Sequence, residues 1–364
     1  MTRPVADAPI DASEAGRHAQ PAIAAVGIRK VFGATVAVDD ATVTVEKGQL
    51  VALLGPSGSG KTTLLRIVAG VEVPDGGTVT INGRTVCGPG TWVEPEQRRV
   101  GMVFQDGALF PHLTVRANVA FGQPRAGRVE ECLELVGLAD RARSYPHELS
   151  GGERQRIALA RALAPEPDVV LLDEPFTALD AALRVALREE VAAILADTGT
   201  TALLVTHDQQ EALSLADVVV VMRDGAVEQI GAPESVYLSP VNRWVAEFLG
   251  AADVLPGAVR GGTVECELGR FPAGGAAEGR VDVIVRPESL AIASAAHPDP
   301  AAGTVRATVL GRSYFGHDQL VRLALASGRE VQCRTRGLPG WPIGTETDLR
   351  VIGPVHVLGA QPAG

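Results

Sequence analysis

No apolar run in this sequence reaches the roughly eighteen residues that a membrane-spanning helix needs. The longest candidates, Val169–Leu172 and Val218–Met222, have the length of strands, so work at a membrane would fall to a partner. From Thr2 to Gln20 the chain also lacks the apolar segment of a secretory signal. Asp7, Asp11, Glu14 and Arg17 are scattered there among Ala and Pro, as in a mobile tail. The four cysteines, Cys87, Cys132, Cys266 and Cys333, lie far apart with neither a Cys-x-x-Cys nor a metal-ligand spacing, and read as buried, reduced thiols. There is no basic excess. A net charge of −10 argues against a nucleic-acid partner, although a local cradle for a nucleotide needs no such footprint. Lysine itself is nearly missing: it stands only at Lys30, Lys47 and Lys61, and every other basic side chain is arginine.

What is present suffices for folded domains. A hydrophobic content of 46% over 364 residues can build cores for two domains, or for one large and one small. Residues 1–22 form the tail. From Ile23 to about Leu249, short apolar strands alternate with helical stretches, as in a mostly parallel α/β sheet. Gln49–Leu54, Asp168–Leu172 and Thr201–Thr206 are apolar at consecutive positions, as strands covered on both faces are. Between about 98 and 165 the pattern turns helical, periodic over Val129–Leu138 and strongly so over Glu153–Leu163, which predicts a helical subdomain. Beyond Gly250 the segments Val281–Val285, Thr304–Leu310, Leu320–Ala324 and Glu330–Arg334, punctuated by Gly and Pro, predict a small all-β domain over 250–364. Gly261–Gly279 and Ser294–Gly303 read as loops, and there is no convincing internal repeat.

Three stretches carry chemistry. Gly55-Pro56-Ser57-Gly58-Ser59-Gly60-Lys61-Thr62 follows a strand and opens a helix over Thr62–Ala69. Its glycines let backbone N–H groups turn inward on phosphate oxygens, Lys61 can bridge the β- and γ-phosphates, and the Thr62 hydroxyl can ligate Mg²⁺. In a chain that writes its cations as arginine, a lysine here is hard to assign to chance. The strand Val169–Leu172 ends in Asp173, suited to Mg²⁺, and Glu174, a carboxylate able to take a proton from water. On their own, two acids at a strand end also read as a solvated terminus. Ser150 then caps an amphipathic helix behind Leu149-Ser150-Gly151-Gly152-Glu153, leaving its positive end open to an anion.

In this order and spacing, GPSGSGKT, Gln105, LSGGE, LLDEP, Ala178–Asp180 and His207 closely resemble the motifs of the ABC ATPase family over residues 23–249. The resemblance implies an α/β P-loop NTPase fold that binds ATP and Mg²⁺. Phe32 would stack on the adenine, and residues Gly55 to Thr63 would hold the phosphates. Gln105 would sense the γ-phosphate, the metal and the water, with Glu174 as the base, His207 on the γ-phosphate and Asp180 near the nucleotide. Thr62, Gln105 and Asp173 would serve the metal. Two subunits would pack head to tail, so that Ser150, Gly151 and Gly152 of one close over the ATP on the other. Asp208 with Glu211 looks like an acidic capping box at the helix after His207. One departure stands out: the family's signature usually ends in Gln where this chain has Glu153, a position the resemblance turns toward the ribose.

The second half narrows the reading further. Val285-Arg286-Pro287-Glu288 and Gly311-Arg312-Ser313-Tyr314-Phe315-Gly316 resemble the accessory β-barrel, OB-like in character, of importer ATPases for sugars, polyamines, sulfate and ferric iron. Arg286 and Glu288 read equally well as a surface ion pair. Phe110, Pro111 and His112 would face a permease, or Phe110 would pack within its subdomain. The resemblance thus implies a peripheral ATPase on the cytoplasmic face of the membrane, serving two permease subunits and, through them, a substrate-binding protein. Its cargo would be ferric iron, with polyamine, quaternary amine, sulfate or sugar as alternatives. A soluble ABC ATPase acting on DNA or ribosomes would carry two ATP domains or a long coiled coil, and this chain has neither.

Overall fold

The computed structural model describes residues 20–105, 107–177, 181–292, 303–337 and 340–359, with side chains of 181–183 excluded. Most of the tail, Ala178–Asp180 and nearly all of Ser294–Gly303 therefore lie outside the described residues.

Along the chain, β1 (Ile23–Phe32) and β2 (Thr35–Val45) precede β3 (Leu50–Leu54), which runs into α1 (Lys61–Ala69). Then come β4 (Gly76–Ile81), β5 (Arg84–Gly88), β6 (Thr91–Trp92) and β7 (Val100–Val103). The helical stretch holds α2 (Val115–Val119), α3 (Arg128–Leu135) and α4 (Gly151–Leu163). It leads to β8 (Val169–Asp173), α5 (Ala181–Asp197), β9 (Ala202–Thr206) and α6 (Gln209–Leu215). After β10 (Val218–Arg223), β11 (Ala226–Gly231), α7 (Pro233–Leu238) and α8 (Arg243–Leu249), the described elements are strands: β12 (Asp253–Arg260), β13 (Thr263–Cys266), β14 (Gly269–Pro272) and β15 (Gly279–Val285). β16 (Leu290–Ile292), β17 (Thr304–Tyr314), β18 (Asp318–Leu325), β19 (Glu330–Arg336), β20 (Glu346–Val351) and β21 (Val355–Leu358) complete the set.

Two compact units divide the chain, one of Met1–Leu50 with Thr62–Leu204, the other of Val51–Lys61 with Val205–Gly364. In the first, β2-β1-β4-β5-β6 form an antiparallel sheet, and β7 lies parallel to β8 with Val100 opposite Val169 and Val103 opposite Leu172. All five residues of β8 are buried, which is why its sequence is apolar without alternation. Helix α1 ends on a side-chain cap: Arg98, 2% exposed, donates from Nη1 to the carbonyls of Ile67 (2.8 Å) and Val68 (3.0 Å). Gly70 is required beside it, because a Cβ there would come within 2.5 Å of the Arg98 Nε.

In the second unit β3 lies parallel to β10, Val51 opposite Val218, and β11 pairs antiparallel with β10. Two five-stranded antiparallel sheets follow, β14-β13-β12-β15-β21 and β16-β20-β17-β18-β19. Leu255, Val283, Val309, Val321, Leu323 and Leu349 join across both into one core, giving a small, nearly closed β barrel. The stretch Gly261–Gly279, expected as a loop, carries the hairpin of β13 and β14. Its strands have four residues each, too short and too rich in glycine for alternation to be legible. Cys87, Cys132 and Cys333 are buried free thiols, and Cys266 is partly exposed.

Candidate functional site

In the second unit, β3 delivers the chain to Gly55, where no side chain fits: a Cβ would fall on the Met222 carbonyl of neighbouring β10. Gly58 (φ 83°) and Gly60 (φ 93°) take left-handed conformations that turn the loop back on itself. Pro56, Ser57 and Gly58 form its exposed rim, while Ser59 is buried beneath it. Lys61, 4% exposed, sends its ammonium under the loop. Nζ donates to the carbonyl oxygens of Gly55 and Pro56, both at 2.8 Å, and to Ser59 Oγ at 3.2 Å. The result is a backbone concavity with a single fixed positive charge at its floor, a geometry suited to anionic oxygens.

The first unit holds the acids. Thr62, next in the chain and in the first turn of α1, donates from Oγ1 to Asp173 Oδ1 at 3.2 Å, with Thr63 beside it in the same turn. Asp173 closes β8 at 8% exposure. Glu174 then leaves the strand at φ 45°, a left-handed conformation that a glutamate rarely adopts. Thr177 helps hold it there, donating from Oγ1 to Glu174 Oε2 at 3.2 Å. Strained backbone of this kind persists where the surroundings impose it, and it clusters at catalytic turns. Because β7 and β8 run parallel, Gln105 emerges exposed from the same end of the pair as Asp173.

The Gln105 loop has an anchor that the sequence did not announce. Arg161 of α4 donates to the carbonyls of Ala108 (2.7 Å) and Gly107 (2.9 Å), and its guanidinium lies 5.6 Å over the Phe110 ring. Phe110 in turn packs at 4.3 Å on Phe121, itself 59% exposed. The only sequence signal for such a role is a cation among the apolar residues of an amphipathic helix. Phe32, at the end of β1, is 47% exposed, with Lys30 Nζ 4.9 Å from its ring.

At the start of α4, Ser150 Oγ accepts from the Glu153 N–H (3.2 Å) and Glu153 Oε2 accepts from the Ser150 N–H (2.7 Å). This is a reciprocal capping box. Glu153 Oε1 also lies 3.4 Å from Arg141 Nε. The Ser150 backbone N–H, more than the nearby arginines, holds the Glu153 carboxyl below its ordinary range. The departure at this position is thus a helix cap in this chain. Gly151 is half-buried and Gly152 buried beside it. The helix after His207 is capped in another way. Asp208 accepts from the N–H groups of Gln210 and Glu211, but the Glu211 carboxylate accepts from the Thr206 hydroxyl and not from the cap residue, so only half of the expected box forms. His207 stands exposed directly after β9, in the second unit.

Arg286 corrects a further expectation. It is 4% exposed and makes no surface pair with Glu288; its guanidinium serves backbone carbonyls, and Glu288 accepts from the Tyr237 hydroxyl at 2.7 Å.

The chain matches the ABC transporter family over residues 38–177 and the TOBE domain over 283–357. It is 43% identical to the Fe(3+) ions import ATP-binding protein of Pseudomonas fluorescens, over 92% of this chain and 97% of that one. A protein of the same description from Rhodococcus jostii is 46% identical, over 90% and 96%. A sulfate/thiosulfate import ATP-binding protein of Chromobacterium violaceum is 45% identical, over 85% and 83%. Among solved structures, an ATP-binding cassette in a dimeric post-hydrolysis state bound to ADP and Pi aligns with TM-score 0.50 and 29% identity, covering 58% of this chain and 98% of that one.

Proposed function

The chain belongs to the ABC transporter family, as an importer-type ATPase with a C-terminal accessory domain, and from that premise we propose that it hydrolyses ATP to drive import of ferric iron. The cargo reading draws on the described relatives. The catalytic reading is carried by the turn at Glu174, where a carboxylate is held in unfavourable backbone directly after Asp173.

In this reading Lys61 and the loop from Gly55 to Gly60 bind the β- and γ-phosphates, and Phe32 stacks on the adenine. The Thr62 hydroxyl and Asp173 carboxylate, 3.2 Å apart, are the hard oxygen donors that Mg²⁺ takes, and would hold it with Gln105 beside them. When bound, that ion neutralises phosphate charge. Glu174 takes the proton of the attacking water as its oxygen bonds to the γ-phosphorus and ADP departs. Gln105 orients that water and His207 donates to the γ-phosphate. Ser150, Gly151 and Gly152 present the open start of α4 to the nucleotide of a second copy, so the working unit is a homodimer. Asp180 would lie close to the same nucleotide. The dimer sits on the cytoplasmic face of the membrane against two permease subunits supplied by a substrate-binding protein, with no nucleic-acid partner. Residues 23–249 are the ATPase domain and 250–364 the accessory barrel.

Two measurements test this. Glu174→Gln should bind ATP with unchanged affinity while phosphate release falls at least a hundredfold (roughly 3 kcal/mol) and an ATP-bound dimer accumulates on gel filtration. Near-normal turnover would remove Glu174 as the base. In vesicles holding the neighbouring permease, ATP should drive uptake of labelled ferric iron. Uptake of sulfate in its place would move the chain to the second reading, which the 45% identity to the sulfate relative keeps in view.

A further inference from the structure

Helix α8 is seven residues long, and its last carbonyls have no partners inside it. Side chains from two other elements supply them. Gln209, two residues after His207, donates from Nε2 to the Phe248 carbonyl at 2.6 Å. Arg286, immediately after β15 of the barrel, donates from Nη1 to the carbonyls of Ala246 (2.8 Å), Gly250 and Ala251 (3.2 Å each). Its Nη2 donates to the Tyr237 carbonyl at 2.8 Å, and its plane lies 4.0 Å over the Tyr237 ring.

The apolar face of α8 is seated on the same strands. Ala246, fully buried, packs with Ile284 of β15 and Leu358 of β21. Toward its other contact, the loop that carries His207 is short and locally closed: Asp208 caps α6, and the Thr206 hydroxyl meets Glu211. A short helix with its carbonyls occupied moves as one body, because releasing any one buried contact leaves a polar group unsatisfied at about 1–3 kcal/mol.

We propose that α8 is a strap coupling the β barrel to His207, with Gln209 and Arg286 as positioning residues on its two sides. This rests on the reading of His207 as a γ-phosphate contact. A displacement of the barrel against α7 and α8 is transmitted through the Phe248 carbonyl to the Gln209 amide, and moves the histidine without altering the phosphate loop. The barrel thereby regulates turnover and leaves nucleotide affinity alone.

The test uses the full chain, with steady-state hydrolysis, ATP titration and amide exchange read by mass spectrometry. Gln209→Leu keeps the side chain's bulk and removes its donor. It should lower kcat about tenfold while the ATP dissociation constant stays within about twofold. Arg286→Lys, unable to reproduce the planar fork, should lower kcat about threefold and speed exchange at residues 207–211. The double variant should be no slower than Gln209→Leu alone, since both act through one strap. Independent effects multiplying to about thirtyfold would overturn the proposal. So would unchanged exchange at 207–211 in Arg286→Lys, or an unchanged kcat in Gln209→Leu. Should Arg286→Lys not fold, Ile284→Ala loosens the same seat and takes its place. Absence of hydrolysis in the parent chain would count against the ATPase reading alone. The exchange measurement needs no turnover and still decides the strap.

Discussion

Lys61 is held by two carbonyl oxygens and a hydroxyl in a space that fits a compact ammonium. Arginine abounds in this chain, yet its planar fork cannot enter the same cradle. Lys61→Arg should therefore fail nearly as badly as Lys61→Ala, losing on the order of a hundredfold in ATP affinity, about 3 kcal/mol. Titration with a fluorescent ATP analogue reads it, and retained affinity in the arginine variant would mean that charge alone suffices. A second residue sets a pH dependence. Asp253 at the start of β12 accepts from the Gln332 N–H at 2.7 Å, but burial pushes its pKa from 3.8 up to about 6. A carboxyl whose folded pKa is raised contributes fully below the unfolded value and loses that contribution as pH climbs through about 6. The cost at neutral pH is roughly 3 kcal/mol as an upper figure. Asp253→Asn keeps the acceptor and should raise the melting temperature by a few degrees at pH 7.5 but not at pH 4. Equal shifts at both would show that ionisation is not the cause.

At the scale of elements, strands buried on both faces were readable from unbroken apolar runs, and β3, β8 and β9 fall within a residue of their expected bounds. The cap of α4 was readable only in part. Ser150 announces itself, whereas the use of Glu153 depends on where its carboxylate turns. Glu153→Gln should leave stability within about 0.5 kcal/mol, because the amide oxygen still accepts from the Ser150 N–H and an exposed ion pair weighs little. Glu153→Ala should cost about 1 kcal/mol, seen as a lower denaturation midpoint. If the Gln variant were as unstable as the Ala variant, the pairing with Arg141 would be the stabilising contact and the cap would not.

For the whole molecule, every residue of the phosphate loop precedes Gly250, so a chain ending there should still bind ATP. The same cut removes Arg286 and uncovers Ala246, leaving the end of α8 to water. It should melt several degrees lower and hydrolyse ATP more slowly at saturation, at unchanged ATP affinity. Loss of ATP binding by a folded truncated protein would place part of the nucleotide site in the barrel.

The sequence by itself determined the order of motifs, the chemistry they can perform and the two kinds of architecture. Each of those is a local property: a glycine-rich turn, a strand's hydrophobicity and a terminal acid are written within a few adjacent residues. The tertiary structure alone decided what Arg98, Arg161 and Arg286 do. Each is an arginine in a chain full of them, and nothing in its neighbours distinguishes a buried cap from a solvated surface charge. Which one it becomes depends on carbonyls tens of residues away, left unpaired by helices and loops whose ends meet only in the folded chain.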